Sequence, residues 1–144
     1  MEQQSYAKHA KYVPMYHLVT FGLIALTLVG SLVNLYHSIG DHSRLYNASL
    51  VTALAFAMVL LFFFARIFPL KAQDRAIRAE ENLRHFALTG KLLDSRLTIK
   101  QIIGLRFASD AEFVELARKA ADEGLSQDSI KRAVKNWRAD HDRL

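Results

Sequence analysis

The six histidines are the residues of this 144-residue chain best suited to metal, haem or acid–base chemistry. His17 and His37 stand near opposite ends of the first apolar run. On a straight helix that is about 30 Å, so one chain cannot bring both to one metal. The second apolar run has no histidine, and a bis-His haem would need a second subunit. One imidazole suffices for a five-coordinate pigment or haem iron, which leaves an accessory pigment or haem subunit as an alternative. The simpler expectation for both residues is an interfacial imidazole bonded to water or headgroups. Asp41 and His42 are too few ligands for a zinc site. With no cysteine there is no disulfide, thiolate site or Cys nucleophile. No metal and no cofactor are predicted.

Acid–base and nucleophilic signals are also weak. Glu80 and Glu81 are adjacent, so on a helix they point about 100° apart instead of converging. Neither lies in an apolar run, where an ionisable group would hint at function. The chain has no H-E-x-x-H, no G-x-S-x-G and no phosphate-cradling glycine loop. The chain is therefore not expected to be an enzyme. Thr20, Thr27, Ser31 and Asn34 are the intramembrane groups that could guide a polar solute. A two-span chain would line a pore only as an oligomer, so an accessory transport subunit stays an alternative.

The elements that must position these residues are set by hydropathy. The first apolar run extends from Val13 to Tyr36, and the second, Leu45 to Ala65, has no charge over 21 positions. At 1.5 Å per residue the second run covers about 30 Å, the thickness of a bilayer's hydrocarbon core. Both runs are predicted to be transmembrane helices. Residues 1–12 are a polar tail, too long and mixed for the n-region of a signal peptide. Thr27, Ser31 and Asn34 share a face of the first span, and Ser49, Ala53 and Ala57 repeat a small residue every fourth position of the second. Small residues let backbones approach, so these six are the predicted helix-packing residues, within one chain or between copies.

Charge divides the chain. Residues 66–144 hold 16 of the 19 Lys/Arg and 12 of the 14 Asp/Glu, so most of the net charge of +5 lies there. Arg66, Lys71, Arg75 and Arg78 follow the second span within 13 residues, whereas the loop carries Arg44 alone. By the positive-inside rule both termini are cytoplasmic. These four cations are the predicted contacts to anionic lipid headgroups.

Pro69 is expected to bend or interrupt the helix after the second span. Beyond it a stem rich in Ala, Glu, Arg and Leu runs to Gly90, with Asp74–Arg78 and Glu80–Arg84 as i,i+4 ion pairs. Residues 91–144 read as a small helical cap. Thr98 caps a helix with Ile99, Ile102, Ile103 and Leu105. Ser109 and Glu112 form a capping box before Phe113, Leu116, Ala117 and Ala120, and Gly124 closes that helix. Ser126 caps a last helix with Ile130, Ala133, Val134 and Trp137 on one stripe. Phe113, Leu116, Ile130, Val134 and Trp137 are the predicted cap core.

Ala120, Gly124 and Ile130 also match the spacing of a helix-turn-helix, with Lys131, Arg132, Lys135 and Arg138 along the second helix. Nine Lys/Arg against eight Asp/Glu over 98–144 suit phosphate poorly. Nucleic acid is not expected as a partner, and a membrane-tethered nucleic-acid binder is the alternative reading.

The stretch Gln73-Asp74-Arg75-Ala76-Ile77-Arg78-Ala79-Glu80-Glu81, then Leu105-Arg106-Phe107-Ala108-Ser109-Asp110, Ile130-Lys131 and Trp137-Arg138 carry a resemblance. They resemble a family of small two-span bacterial membrane proteins classed as a domain of unknown function. The resemblance implies two spans, a helical C-terminal region and a bacterial inner membrane. It brings no activity and no site residues.

The predicted architecture is all-α: a tail (1–12), a first span (13–36), a short external loop (37–44), a second span (45–68), a stem (69–90) and a cap (91–144). The predicted role is a non-enzymatic, membrane-anchored interaction or scaffold subunit. Its partners are the bilayer and either another membrane protein or a second copy of itself.

Overall fold

The computed structural model describes residues 12–139, and among them every element is helical. The polar tail with Lys8 and Lys11 lies outside the described residues. The fold has a π-helical turn, Met15–Thr20, that runs into α1 (Phe21–His37), then α2 (His42–Thr89), α3 (Ile99–Leu105), α4 (Asp110–Glu123) and α5 (Gln127–Ala133). The chain divides into two compact units. One ends at Pro69 and the other begins at Leu70, so α2 contributes to both.

The stretch Met15–His37 and α2 are each long and apolar enough to cross a membrane. The 23 residues of the first span about 34 Å at helical rise. α2 starts three residues earlier than the predicted second span. Asp41 explains the difference: its carboxylate accepts from the Ser43 and Arg44 N–H groups at 3.2 and 3.3 Å and from the Ser43 hydroxyl at 2.9 Å. It is the N-cap of α2, in a segment whose polarity alone predicts loop. The Ser43 hydroxyl first, and then the Arg44 N–H, hold its carboxyl below the usual range.

Pro69 does not end the helix, because α2 passes through it to Thr89. The stem is therefore the second half of α2 and not an element of its own. Proline removes one N–H, the partner of the Ala65 carbonyl, and the strong helix formers on the C-terminal side propagate past that loss.

The C-terminal unit has a core of large side chains. Leu97, Ile102, Leu105, Phe107, Phe113 and Ile130 are all but fully buried, and Ile77 of α2 joins their cluster. The predicted Ser109–Glu112 capping box forms, and at the predicted Thr98 cap the structure adds a second box, with Gln101 as its return partner. Gly124 ends α4 at φ 62°, a left-handed conformation that costs other residues more. Gly104 serves a different purpose. A Cβ there would stand 3.1 Å from the Gln127 carbonyl and 3.2 Å from Ile130 Cγ2, so its absence lets α3 and α5 touch.

α5 is shorter than its apolar stripe predicts. It stops at Ala133, and Val134 is already extended. Trp137 therefore reaches the core from a bridge paired with Ala108, its ring 4.8 Å from that of Phe107. Glu112 is the cause. Its carboxylate accepts from the backbone N–H of Lys135 and of Asn136 at 3.1 and 3.0 Å, and those bonds replace the next helical turn.

Candidate functional site

Three surfaces stand out as candidate interaction sites: the seam of the hairpin, the junction of stem and cap, and a groove beside it. The seam comes first in the chain. Along α2 the covered positions are Leu45, Ala48, Thr52, Ala55, Val59 and Phe62, spaced by three and four residues. Thr52 donates its hydroxyl to the Ser31 carbonyl at 3.1 Å and to its own Ala48 carbonyl at 2.9 Å. Tyr16 stacks on Phe62 with centroids 4.4 Å apart and donates to its carbonyl.

Of the six predicted packing residues, Ser31 alone lies in this seam, at 5% exposure. Thr27, Asn34, Ser49, Ala53 and Ala57 are exposed. Thr27 and Ser49 return their hydroxyls to Leu23 and Tyr46 carbonyls of their own helices at 2.8 and 2.7 Å, which removes their need for a partner helix. The small residues every four positions are a helical step away from the seam in use. A pattern of alternating three and four, Ala48-Thr52-Ala55-Val59, was the signal that marks it.

The two histidines of the first apolar stretch, Met15–His37, make local contacts. His17 Nδ1 lies 2.9 Å from the Val13 carbonyl, and its ring stacks on Tyr12. His37 meets Tyr36 edge-on. Among the described residues no group of three His, Asp or Glu side chains is placed to hold a metal.

The junction of stem and cap is built on Arg84. Its guanidinium pairs with Glu81 at 3.0 Å and Asp110 at 2.6 Å, and donates to the Ala108 carbonyl at 2.7 Å. It also lies 4.2 Å from the centre of the Phe113 ring. Arg84 and Glu81 side chains are only 10% and 6% exposed. Arg138 approaches the other Glu81 oxygen at 3.8 Å. The predicted Glu80–Arg84 pair is thus replaced: tertiary partners draw Arg84 toward the cap, and Glu80 stays on the surface. The predicted Asp74–Arg78 pair does not form either, and Arg78 instead donates to the Leu97 carbonyl at 3.5 Å. Asn82 accepts from Leu93 N–H at 3.2 Å, and His85 Nδ1 meets the Lys91 carbonyl at 2.7 Å. Sequence reasoning missed this junction because its charges come from three separate segments.

Beside the junction lies an open groove of about 850 Å³. His85, Thr89, Leu92, Leu93, Val114 and Arg118 are among its walls. Below it, Arg96 bridges Asp94 and Asp122 at 2.7 and 2.9 Å, tying the segment before α3 to α4. The Arg96 guanidinium holds the Asp94 carboxyl down to about 2.

The predicted cap core is in place. Phe113, Leu116, Ile130 and Val134 are buried, and Trp137 packs against their cluster. Buried Gln101 donates to the Ala120 and Leu125 carbonyls at 3.1 and 2.9 Å, satisfying the end of α4. The turn holding Ala120, Gly124 and Ile130 has helix-turn-helix spacing, but its second helix has seven residues. Arg132 pairs with Asp128, and Lys131 lies over the Phe107 ring. Of the predicted headgroup cations, Lys71, Arg75 and Arg78 are exposed and Arg66 is half-buried.

Two membrane-length apolar helices and a compact helical unit that includes the C-terminal half of α2 define an all-α protein. All of it, residues 1–144, matches a family of unknown function, DUF6526, and the chain belongs to that family. No curated protein and no solved structure matches it.

Proposed function

We propose that this chain is a non-enzymatic, membrane-anchored interaction subunit. The hairpin holds it in a bilayer, and the C-terminal unit meets its partner. One observation carries the reading: in the most apolar stretches of the two long helices only 6% and 11% of the residues are buried. Apolar surface on that scale needs lipid or protein to cover it. The C-terminal unit supports the second half of the reading, because its core is closed while its groove and its stem remain open.

Arg66, Lys71, Arg75 and Arg78 against the single Arg44 of the loop orient both termini to the cytoplasm, in a bacterium at the inner membrane. Arg66 and Lys71, nearest the end of the apolar run, face anionic headgroups. The test is purification of the full chain from membranes in a mild detergent, with mass spectrometry of what accompanies it. Retention in the membrane pellet after carbonate washing is expected, together with a stoichiometric protein partner or a second copy. A soluble chain, or a strict monomer with no companion in every mild condition, would overturn the reading.

A further inference from the structure

The stem half of α2 has two unlike faces. Ile77, Glu81 and Arg84 turn toward the cap and are covered. Ala72, Ala76, Ala79, Leu83 and Phe86 are all exposed, the last two at 68% and 51%. Their spacings are four, three, four and three. At 100° per residue they fall within an arc of about 80° on the side away from the cap. This is the seam of a two-stranded coiled coil, with Ala76 and Leu83 at one core position of the heptad and Ala72, Ala79 and Phe86 at the other.

We infer that this face is covered by the same face of a second copy of the chain, the two stems running parallel. The flanking charges favour that occupant. In the register set by the apolar stripe, Arg75 and Glu80 take the two flanking positions that meet across a parallel pair. Arg75 of one copy then lies beside Glu80 of the other, and the two-fold axis makes the contact twice. Both side chains are exposed and neither has an ion-pair partner among the described residues. Antiparallel stems would set Glu80 beside Glu80 instead.

The direction agrees with the anchored reading on which this inference rests, because hairpins of one topology in one bilayer send their stems the same way. Confinement to that bilayer raises the effective concentration of a stripe that is only two heptads long. Alanines at three of the five core positions let the helices approach closely.

The chain has no cysteine, so single cysteines report directly on proximity. Full-length Ala79→Cys, Phe86→Cys and, as a control on α4, Arg118→Cys are reconstituted in phosphatidylcholine vesicles and oxidised. Disulfide dimers are expected for Ala79→Cys and Phe86→Cys and not for Arg118→Cys. In the Ala79→Cys background, Arg75→Glu and Glu80→Arg each lower the dimer yield, and the two together restore it. Equal yields at all three cysteines, or charge variants without effect, would overturn the inference. So would a chain that stays in carbonate-washed vesicles yet forms no stem dimer, and that result leaves the anchored reading standing. A chain lost from the vesicles on washing would overturn both.

Discussion

Between residues 12 and 69 the buried residues are Ser31, Ser38, Ala48 and Ala55, all of them small. Beyond Leu70 the largest fully buried side chains are Leu97, Ile102, Leu105, Phe107, Phe113 and Ile130. The hairpin turns its large apolar residues outward and uses small ones to bring two backbones together. The C-terminal unit does the reverse, and each large side chain it buries contributes roughly 1.5–3 kcal/mol. Polar groups follow the same division. In the hairpin, hydroxyls return to carbonyls of their own helices, with Thr52 to Ser31 and Tyr16 to Phe62 as cross-helix bonds. In the C-terminal unit, Arg84, Gln101 and Glu112 each tie together segments distant in the chain. The first region is joined by close fit of small residues, and the second by a core of large side chains with a few long-range polar ties.

The contrast is broken most severely at Arg84. Arg84→Met leaves the buried Glu81 without its close partner, at a cost of about 3–5 kcal/mol. Limited proteolysis of the full chain should then release the segment after Gly90, while the hairpin stays protected in its micelle. Gly104→Ala comes next. The added methyl meets the Gln127 carbonyl and Ile130, and the expected loss is about 1–3 kcal/mol, read as a lower denaturation midpoint.

Glu112 makes the stability of the C-terminal unit depend on pH. Burial raises its pKa, but the N–H groups of Lys135, Asn136 and Ser109 and the Ser109 hydroxyl together outweigh burial and hold it below the ordinary carboxyl value. A depressed folded-state pKa means the stabilisation is present above the unfolded value and is lost as pH falls through the folded one. Glu112→Gln should flatten the acid limb of the unfolding curve and loosen Trp137, seen as a change in the fluorescence of this single tryptophan. The smallest effect belongs to the hairpin. Thr52→Val removes one cross-helix bond worth about 0.6 kcal/mol, measured by unfolding in detergent. Ala53→Leu, on the outward face, should leave the midpoint unchanged.

How far the residues spoke for themselves differs between the two regions. Thr98, Ser109, Gly124 and Ser126 announce the helix ends of the cap, because capping is a contact between near neighbours in the chain. Phe113, Leu116, Ile130 and Val134 follow at once as core, since a helical stripe has one face to bury. Asp41 is equally local, an N-cap that polarity places in the loop because the apolar run begins after it. The packing face of the hairpin was not legible in the same way. In a span nearly every residue is apolar, so hydropathy does not choose a face, and Ser49-Ala53-Ala57 and Ala48-Thr52-Ala55 both offer small residues.

Sequence alone thus determined the helical class, the two membrane-length runs, the caps and most of the core, since each depends on composition or on residues within about one helical turn. Tertiary structure decided the seam on α2, the passage of α2 through Pro69, the early stop of α5 and the choice of Glu81 and Asp110 as partners of Arg84. Each of these is settled by groups far apart in the chain, such as the Glu112 carboxylate taking the N–H groups of Lys135 and Asn136. Such competition is resolved only when the fold brings the groups within hydrogen-bonding distance.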